Sequence, residues 1–236
     1  MKLLLIVFSV FCLTGFVNAQ LKDQDSNSYK TVLIGNRAWM TENYKAVKLN
    51  NGQKIAFAKN SDEWIEYFES KTPCYTYANF DVKNKNNGLI YNYFAAHSQY
   101  IAPESWTVPG TDDWDKMVFS IGQYDIKTAL KLKQNAVWKS AKASSNLSGF
   151  SASPMPFLKF CGAFTDPQKY QSVSYWRLDK VDEENGENAC SFSVSESGKM
   201  ELAQGYTGAT AGYYIRLCKI LKPDEVEKEN DDDAQD

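Results

Sequence analysis

Short extended segments separated by turns dominate the first third of the chain. Residues 28–34 have the alternation of a strand and end at Gly35-Asn36, which predicts a tight turn, and residues 37–40 resume as the partner strand. Trp39 is the largest side chain that this hairpin would bury. Three further segments are predicted, as strands at 53–57 and 73–77 and as an extended-to-helical segment at 89–96, whereas 62–68 fits a short helix or a loop.

One helical repeat stands in the middle of the chain. Apolar side chains recur there with the i, i+3, i+4, i+7 spacing of a half-buried helix: Trp114, Met117, Val118 and Ile121. Thr111 is the predicted N-cap, and Gly122 is predicted to end the helix. Asp125 is predicted to cap a second, shorter helix that runs to Leu132.

The pattern changes from Trp138 onward, where helical periodicity is absent and short apolar runs alternate with turn residues. These runs predict an antiparallel sheet with strands at 158–164, 173–179, 190–194 and 213–218, the last of which carries the most strand-forming side chains. Helices in the first half and a sheet in the second predict a single domain of the α+β class.

Residues 1–19 have the pattern of a cleaved signal peptide. Lys2 precedes an apolar run, and Val17 and Ala19 stand at −3 and −1 of a cut before Gln20. We find no second apolar segment of membrane-spanning length in the sequence, so we predict no transmembrane segment after cleavage. The predicted location is secreted, periplasmic or cell-surface, with residues 20–222 forming the domain.

Charge is concentrated at the C-terminal end. Residues 223–236 carry eight acidic side chains against one lysine, which predicts a solvated, disordered tail. The rest of the chain shows no stripe of lysine and arginine, which argues against nucleic acid as a partner.

Four cysteines remain after the predicted cleavage, and an even number in an exported chain points to disulfide bonds. They are Cys74, Cys161, Cys190 and Cys218, which allow three connectivities. We favour the nested arrangement, Cys161 with Cys190 inside Cys74 with Cys218, because it would tie the last strand to an early one. None of the four stands in a CxxC pair, which argues against structural zinc.

Signals for catalysis and metal binding are sparse. His97 is the only histidine, which excludes sites with several histidines, and the sequence has no GxSxG motif. Four acidic residues could group around calcium, but they lack a DxDxDG pattern and fit solvated charge better: Asp179, Asp182, Glu183 and Glu184. We therefore predict no catalytic residue, no metal and no cofactor.

Five ordered blocks give the chain a family resemblance. They are residues 32–44 (VLIGNRAWMTENY), 88–96 (GLIYNYFAA), 106–109 (WTVP) with Trp114, 146–150 (NLSGF) and 215–219 (IRLCK). In this order and spacing they resemble the Fibrobacter succinogenes major paralogous domain, a family of exported bacterial proteins, over residues 25–220. Where that family usually has Cys-Pro-x-Gly-Trp before the helix, this chain has APESW, so a cysteine that could pair with Cys218 is missing.

The resemblance implies a C-type-lectin-like fold, in which two helices flank a twisted antiparallel sheet with long loops. Relatives of that fold place ligand contacts in loops, and sugar rings or peptides dock well on tryptophan and tyrosine faces. Four aromatic residues near the turn-rich loops of the second half are therefore candidate ligand contacts: Trp138, Tyr175, Trp176 and Tyr206. The alternative is that these rings belong to the core.

Two classes of function stay open at this stage. The first, which we favour, is an exported non-enzymatic binding or surface module that recognises a glycan or another protein. The second is an enzyme on the same fold, because relatives of the lectin-like fold include the formylglycine-generating enzymes, whose redox chemistry relies on cysteines. In that case Cys74, Cys161 or Cys190 would be reactive instead of structural.

Overall fold

The structure is a computed structural model, and it describes residues 16–139, 144–159, 162–178, 188–196, 201–222 and 225–226, with the backbone alone for 16–20 and 188. Its strands are β1 (Phe16–Lys22), β2 (Ser28–Ile34), β3 (Arg37–Met40), β4 (Ala56–Phe57), β5 (Cys74–Thr76), β6 (Ile90–Tyr91), β7 (Ser172–Arg177), β8 (Asn188–Ser195), β9 (Leu202–Gly208) and β10 (Cys218–Ile220). Its helices are α1 (Ser61–Glu69), α2 (Tyr93–Ala96), α3 (Thr111–Ile121) and α4 (Ile126–Leu132), with 3-10 turns at Ala78–Phe80 and Val82–Asn87. None of the helices in these residues is long and apolar enough to cross a membrane.

The strands form three sheets. The first has the spatial order β1-β2-β3-β10, the second β4-β5-β6 and the third β7-β8-β9. Among these described strands every pair is antiparallel except β4 with β5. Helices combined with mainly antiparallel sheets confirm the α+β class.

β2 and β3 form the hairpin that the sequence predicts. Ile34 pairs with Arg37 across the two-residue turn, and Gly35 has a φ of 67°, which glycine adopts without a steric penalty. Trp39 is fully buried, as expected. β1 runs along the other side of β2, so the predicted cleavage before Gln20 lies inside a strand.

α3 lies in the core, as its periodicity predicts. All four of its predicted apolar positions are buried, and the Trp114 ring stacks on Phe192 of β8 with 4.1 Å between the ring centroids. The N-cap is Gly110, one residue before the predicted Thr111. A Cβ at Gly110 would lie 2.7 Å from the carbonyl oxygen of Leu178, so the close approach of the chain after β7 favours glycine there.

The other helices and strands predicted before Trp138 are present, but some are shorter than predicted. Asp125 caps α4, and its carboxylate accepts the Thr128 N–H at 2.8 Å. Residues 62–68, which fitted a helix or a loop, lie in α1. The segment 89–96 is extended and then helical, as β6 and α2, whereas the strand predicted at 53–57 is reduced to the two residues of β4.

The prediction of a regular strand at 213–218 is wrong. The segment is extended and buried, but Tyr213 pairs with Tyr91 of β6 and Tyr214 pairs with Tyr175 of β7 before β10 begins and pairs with β3. Because the pairing partner changes from one residue to the next, a continuous ladder does not form. This segment instead joins all three sheets.

The third sheet confirms the antiparallel arrangement predicted for the second half, but it includes a strand that the sequence pattern misses. β9 contains Gly205 and Gly208, which lack the side chains on which strand propensity depends. Its pairing with β8 over its whole length makes it a strand. In the segment 158–164, predicted as a strand, Leu158 forms isolated bridges with Phe164 and Gly212, and residues 160 and 161 lie outside the described part of the chain.

The predicted disulfide bond between Cys74 and Cys218 is not present, and both residues are buried free thiols. Cys74 lies in β5 opposite Ala56, whereas Cys218 begins β10 opposite Trp39 in a different sheet. The backbone pairing of β10 with β3, and not a sulfur bond, therefore ties the last strand to an early one. Cys161 lies outside the described residues, so its pairing with Cys190 stays a prediction.

Candidate functional site

Three of the four predicted aromatic ligand contacts are core residues. Trp138 is 3% exposed, and its indole N–H donates to the Ala152 carbonyl at 2.9 Å. Tyr175 and Trp176 are fully buried in β7, and the Trp176 indole N–H donates to the Tyr91 carbonyl at 2.8 Å. Side chains without exposed surface do not offer a face to a ligand, so for these three the alternative interpretation as core residues is the correct one.

Tyr206 is the exposed member of the four, with 77% of its surface open to solvent. It lies on β9, two residues after Gln204, so the two side chains project from the same face of the sheet. Their partners on β8 are Cys190 and Phe192. Most of the Tyr206 ring is therefore open to solvent on β9, at the outer edge of the third sheet.

A hydrogen-bonded network holds the polar side chains beside Tyr206. The Tyr124 hydroxyl donates to Asp115 Oδ1 at 2.7 Å, and Gln204 Nε2 donates to the same oxygen at 2.7 Å and also contacts the Tyr124 hydroxyl. Arg177 Nη1 donates to Gln204 Oε1 at 3.0 Å. Both ends of the Gln204 amide are thereby engaged, which determines its orientation.

Exposed aromatic rings complete this patch. Phe119, which is 61% exposed, packs edge-on against Tyr124 with 5.8 Å between the ring centroids. Burial and the Asp115 carboxylate raise the pKa of Tyr124 above its usual range, so its hydroxyl stays a neutral donor. We call the patch formed by Asp115, Phe119, Tyr124, Gln204 and Tyr206 the Tyr206 surface. Its combination of apolar ring faces with fixed hydrogen-bonding groups is typical of surfaces that bind sugars or peptides.

Tyr206 is the one residue of this surface that the sequence predicts as a ligand contact. Tyr124 and Gln204 are 80 residues apart, so their contact has no local signature. The sequence does contain one sign of this surface: Phe119 places a large apolar side chain on the polar face of α3. A single exposed apolar side chain is common on protein surfaces, so this signal gains weight only from the neighbouring exposed ring of Tyr124.

Three side chains that could take part in catalysis, His97, Cys74 and Cys218, are packed into the fold. His97 Nδ1 lies 2.9 Å from the Tyr93 carbonyl, and its ring stacks on Tyr93 with 3.8 Å between the centroids, so it is a packed residue. Burial raises the pKa of the Cys74 and Cys218 thiols, which keeps them protonated. In the described part of the chain no three His, Cys, Asp or Glu side chains are grouped to hold a metal, and the acidic residues considered for calcium lie outside it, at 179–184.

Two clefts lie apart from the Tyr206 surface. One, of about 450 Å³, runs between β2 and the loop that contains the NLSGF block. In this loop the Ser151 N–H donates to Asn146 Oδ1 and Asn146 Nδ2 donates to Ser151 Oγ, each at 2.9 Å, so these polar groups are used to hold the loop itself. The other, a shallow groove of about 540 Å³, passes His97 and Tyr100. Neither places an exposed ring beside an amide whose nitrogen and oxygen are both hydrogen-bonded, as Tyr206 and Gln204 are placed in the Tyr206 surface.

Arg216 holds together three of the five sequence blocks. It is 2% exposed, and its Nε donates to Asn43 Oδ1 at 2.7 Å, while Nη1 donates to the carbonyls of Met40 and Phe150 at 3.0 Å each. The guanidinium carbon lies 5.0 Å from the centroid of the Phe150 ring. Its bonded acceptors are neutral, and burial lowers the pKa of the guanidinium. The blocks that stand apart in sequence therefore meet at one buried side chain.

One family model covers most of the chain. The model of the Fibrobacter succinogenes major domain matches residues 32–219. The chain belongs to this family. The matched Fibrobacter succinogenes major domain runs from within β2 into β10, so it includes α3, β9 and the Arg216 contacts and leaves out β1 and the acidic tail. A comparison with curated proteins and one with solved structures found no match.

Proposed function

We propose that this Fibrobacter succinogenes major domain is an exported, non-enzymatic binding module with a C-type-lectin-like fold, and that it recognises a glycan, or else another protein, through the Tyr206 surface. The observation that carries the proposal is the exposed Tyr206 ring beside a Gln204 amide whose two ends are held by Asp115 and Arg177. Because the amide is already fixed, little of its conformational entropy is lost when a ligand binds.

The chemistry of the surface favours a glycan over a peptide. A pyranose ring has an apolar face, which would pack on Tyr206 or Phe119, and a rim of hydroxyl groups. Both described hydrogen bonds to Asp115 use Oδ1, which leaves Oδ2 to accept a ligand hydroxyl. An aromatic ring next to a carboxylate and an amide thus matches both parts of a sugar.

The lectin-like fold and export belong to the same proposal. Helices beside mainly antiparallel sheets, with no helix or strand in the described residues between α4 and β7, support the fold. Export is supported by the charge and apolar pattern of residues 1–19. After a cut before Gln20, Leu21 and Lys22 would keep their pairing with Tyr29 and Ser28, so part of β1 would remain in the sheet.

The second class of function, a cysteine-dependent enzyme, has less support. A nucleophilic thiol needs access to its substrate and a lowered pKa. Cys74 and Cys190 are buried, and burial raises the pKa of Cys74 well above its usual range. Cys161 lies outside the described residues. A cysteine-dependent activity would therefore have to use Cys161.

A glycan array and a pull-down with the chain that begins at Gln20 test the proposal. We expect one class of glycan to bind, and Tyr206→Ala to weaken that binding about five- to tenfold, because an aromatic contact of this kind contributes about 1 kcal/mol. Tyr100→Ala is the matched control, since Tyr100 is also exposed (43%) but lies on the loop after α2. It should bind as the wild type does.

Two results would contradict the proposal. One is an array without binding together with a pull-down that Tyr206→Ala leaves unchanged. The other is a ligand whose affinity falls equally in Tyr206→Ala and Tyr100→Ala, because the Tyr206 surface would then have no special part in recognition.

A further inference from the structure

The hydrogen-bond donors of the network in the Tyr206 surface point inward. The Tyr124 hydroxyl and Gln204 Nε2 both donate to Asp115 Oδ1, each at 2.7 Å, and Gln204 Oε1 accepts from Arg177. The groups that this network leaves to a ligand are mainly acceptors, namely Asp115 Oδ2 and the remaining lone pairs of Gln204 Oε1 and the Tyr124 hydroxyl. The Tyr206 hydroxyl can donate as well as accept. Such a surface suits a ligand that brings donors of its own.

Asp115 gives this surface its charge. The residue is partly exposed, and both of its described hydrogen bonds use Oδ1. Two charges act on the Tyr124 hydroxyl, Asp115 and Arg177. Arg177 is only 6% exposed and directs Nη1 to Gln204, so its guanidinium is less accessible to a ligand than the carboxylate is. Lys116 follows Asp115 on α3 and projects about 100° away from it around the helix axis.

Aromatic rings lie beside the Asp115 carboxylate. Phe119 is four residues after Asp115 on α3, so the two side chains share one face of the helix, with about 5–6 Å between their Cβ atoms. Tyr124, whose hydroxyl donates to Asp115, packs edge-on against the Phe119 ring. An ammonium group binds well where a carboxylate meets aromatic rings, because the ring faces also attract a cation. The acceptors, the charge and the rings therefore all favour a ligand with a positive group.

We propose that the Tyr206 surface recognises a glycan of amino sugars with free amino groups, such as an oligosaccharide of glucosamine. This inference rests on the proposed function and adds the class of glycan. An ammonium group on the rim of the sugar donates to Asp115 Oδ2 in a charge-assisted hydrogen bond, which is stronger than one from a neutral hydroxyl. The apolar face of a sugar ring packs on Tyr206, which lies two residues, or about 7 Å, along β9 from Gln204.

The same arrangement disfavours two related classes of glycan. Acetylation of the amino group removes its positive charge, so the charge-assisted bond to Asp115 is lost. A uronic acid brings a second carboxylate towards Asp115, and like charges repel each other. The surface therefore predicts a ranking in which free amino sugars bind most tightly, acetylated amino sugars bind less tightly and acidic sugars bind least.

Isothermal titration calorimetry with three tetrasaccharides, of glucosamine, N-acetylglucosamine and galacturonic acid, tests this ranking on the chain that begins at Gln20. At low salt we expect the glucosamine tetramer to bind about fivefold more tightly than the acetylated tetramer, as a partly exposed ion pair allows. The galacturonic acid tetramer should bind least. The preference for free amino groups should shrink as sodium chloride is added, because salt screens a pair that is open to solvent.

Asp115→Asn isolates the part of the carboxylate in recognition. Asparagine keeps Oδ1 as the acceptor for Tyr124 and Gln204 and replaces the other oxygen by a neutral NH₂ group. This variant should bind the glucosamine tetramer about fivefold more weakly and the acetylated tetramer as the wild type does. Asp62→Asn is the matched control, because Asp62 is an exposed acidic residue of α1, and it should change neither affinity. Circular dichroism that matches the wild type establishes that each variant is folded.

Three results would overturn this inference and leave the proposed function in place. The first is equal binding of the free and acetylated tetramers that Tyr206→Ala weakens. The second is Tyr206-dependent binding of another class of glycan without binding of the glucosamine tetramer. The third is a preference for free amino groups that Asp62→Asn removes as fully as Asp115→Asn does.

Two further results bear on what is recognised. Tetralysine that binds as tightly as the glucosamine tetramer, and that Asp115→Asn weakens equally, would overturn the inference because charge alone would then be recognised. A protein that binds none of the tetramers and no glycan on an array would overturn the inference together with the proposed recognition of a glycan.

Discussion

Arg216→Met removes the guanidinium that joins the end of β3, the NLSGF loop and the C-terminal segment. Methionine keeps much of the volume and an apolar contact with the Phe150 ring. It removes the donors to Asn43 Oδ1 and to the carbonyls of Met40 and Phe150. These three acceptors would stay buried without the donor that serves them in the wild type.

The expected loss in the free energy of unfolding is about 3 kcal/mol or more. A buried acceptor left without its donor costs about 1–3 kcal/mol, and three of them at the lower end add to about 3 kcal/mol. Methionine avoids the desolvation of a buried cation, and apolar replacement of buried charge can be neutral when all partners are replaced together. In Arg216→Met the three acceptors remain, so the avoided desolvation of the cation does not cancel the cost of leaving them without a donor. A loss of about 3 kcal/mol is a large part of the roughly 5–15 kcal/mol by which a folded domain is stable.

Urea unfolding followed by tryptophan fluorescence measures the effect. With an m-value of about 2–3 kcal/mol/M, the midpoint of Arg216→Met should fall by about 1 M or more. Arg216→Lys should lie between this variant and the wild type, because an ammonium keeps the charge but lacks the planar fork that reaches several acceptors. Lys159→Met removes an exposed cation and should leave the midpoint unchanged.

An Arg216→Met midpoint equal to that of the wild type would refute this reasoning. It would mean that the Asn43 side chain and the two carbonyls find other donors in the folded state. A loss as large in Lys159→Met would refute it differently, because the effect would then follow total charge and not the contacts of Arg216.

Three other predictions follow from burial. Cys74 and Cys218 should resist iodoacetamide in the folded protein and react in urea, measured by mass spectrometry of the peptides, and labelling of either in the folded chain would contradict their burial. Because both thiols hold their proton more tightly when folded, stability should fall as the pH rises through the usual thiol value of 9.0, seen as a lower Tm. Truncation after Val226 should leave the Tm unchanged. Truncation after residue 222 should lower the Tm by about 2–4 °C, because it removes Val226, which packs against Leu33 and Leu221. Equal Tm values in the two truncated chains would contradict this packing.

Sequence reasoning succeeded where the cause of a structure lies within a few residues. The turn at Gly35-Asn36, the apolar repeat of α3 and the cap at Asp125 all depend on near neighbours, and all three are confirmed. The five ordered blocks also carried the family resemblance, which the match over residues 32–219 confirms. The N-cap lies one residue before the predicted position, at Gly110, whose N–H donates to Asp113 Oδ2 at 2.9 Å.

The sequence by itself thus determined the α+β class, the main local elements and the family, because propensity, capping and periodicity are local properties. The tertiary structure alone decided which aromatic side chains are available to a ligand. Trp138 and Trp176 have the same loop-rich context in sequence as Tyr206, yet only Tyr206 is exposed. Burial and strand pairing depend on neighbours that distant segments supply, as when Gln204 meets Tyr124 across 80 residues, and such neighbours leave no pattern in either segment taken alone.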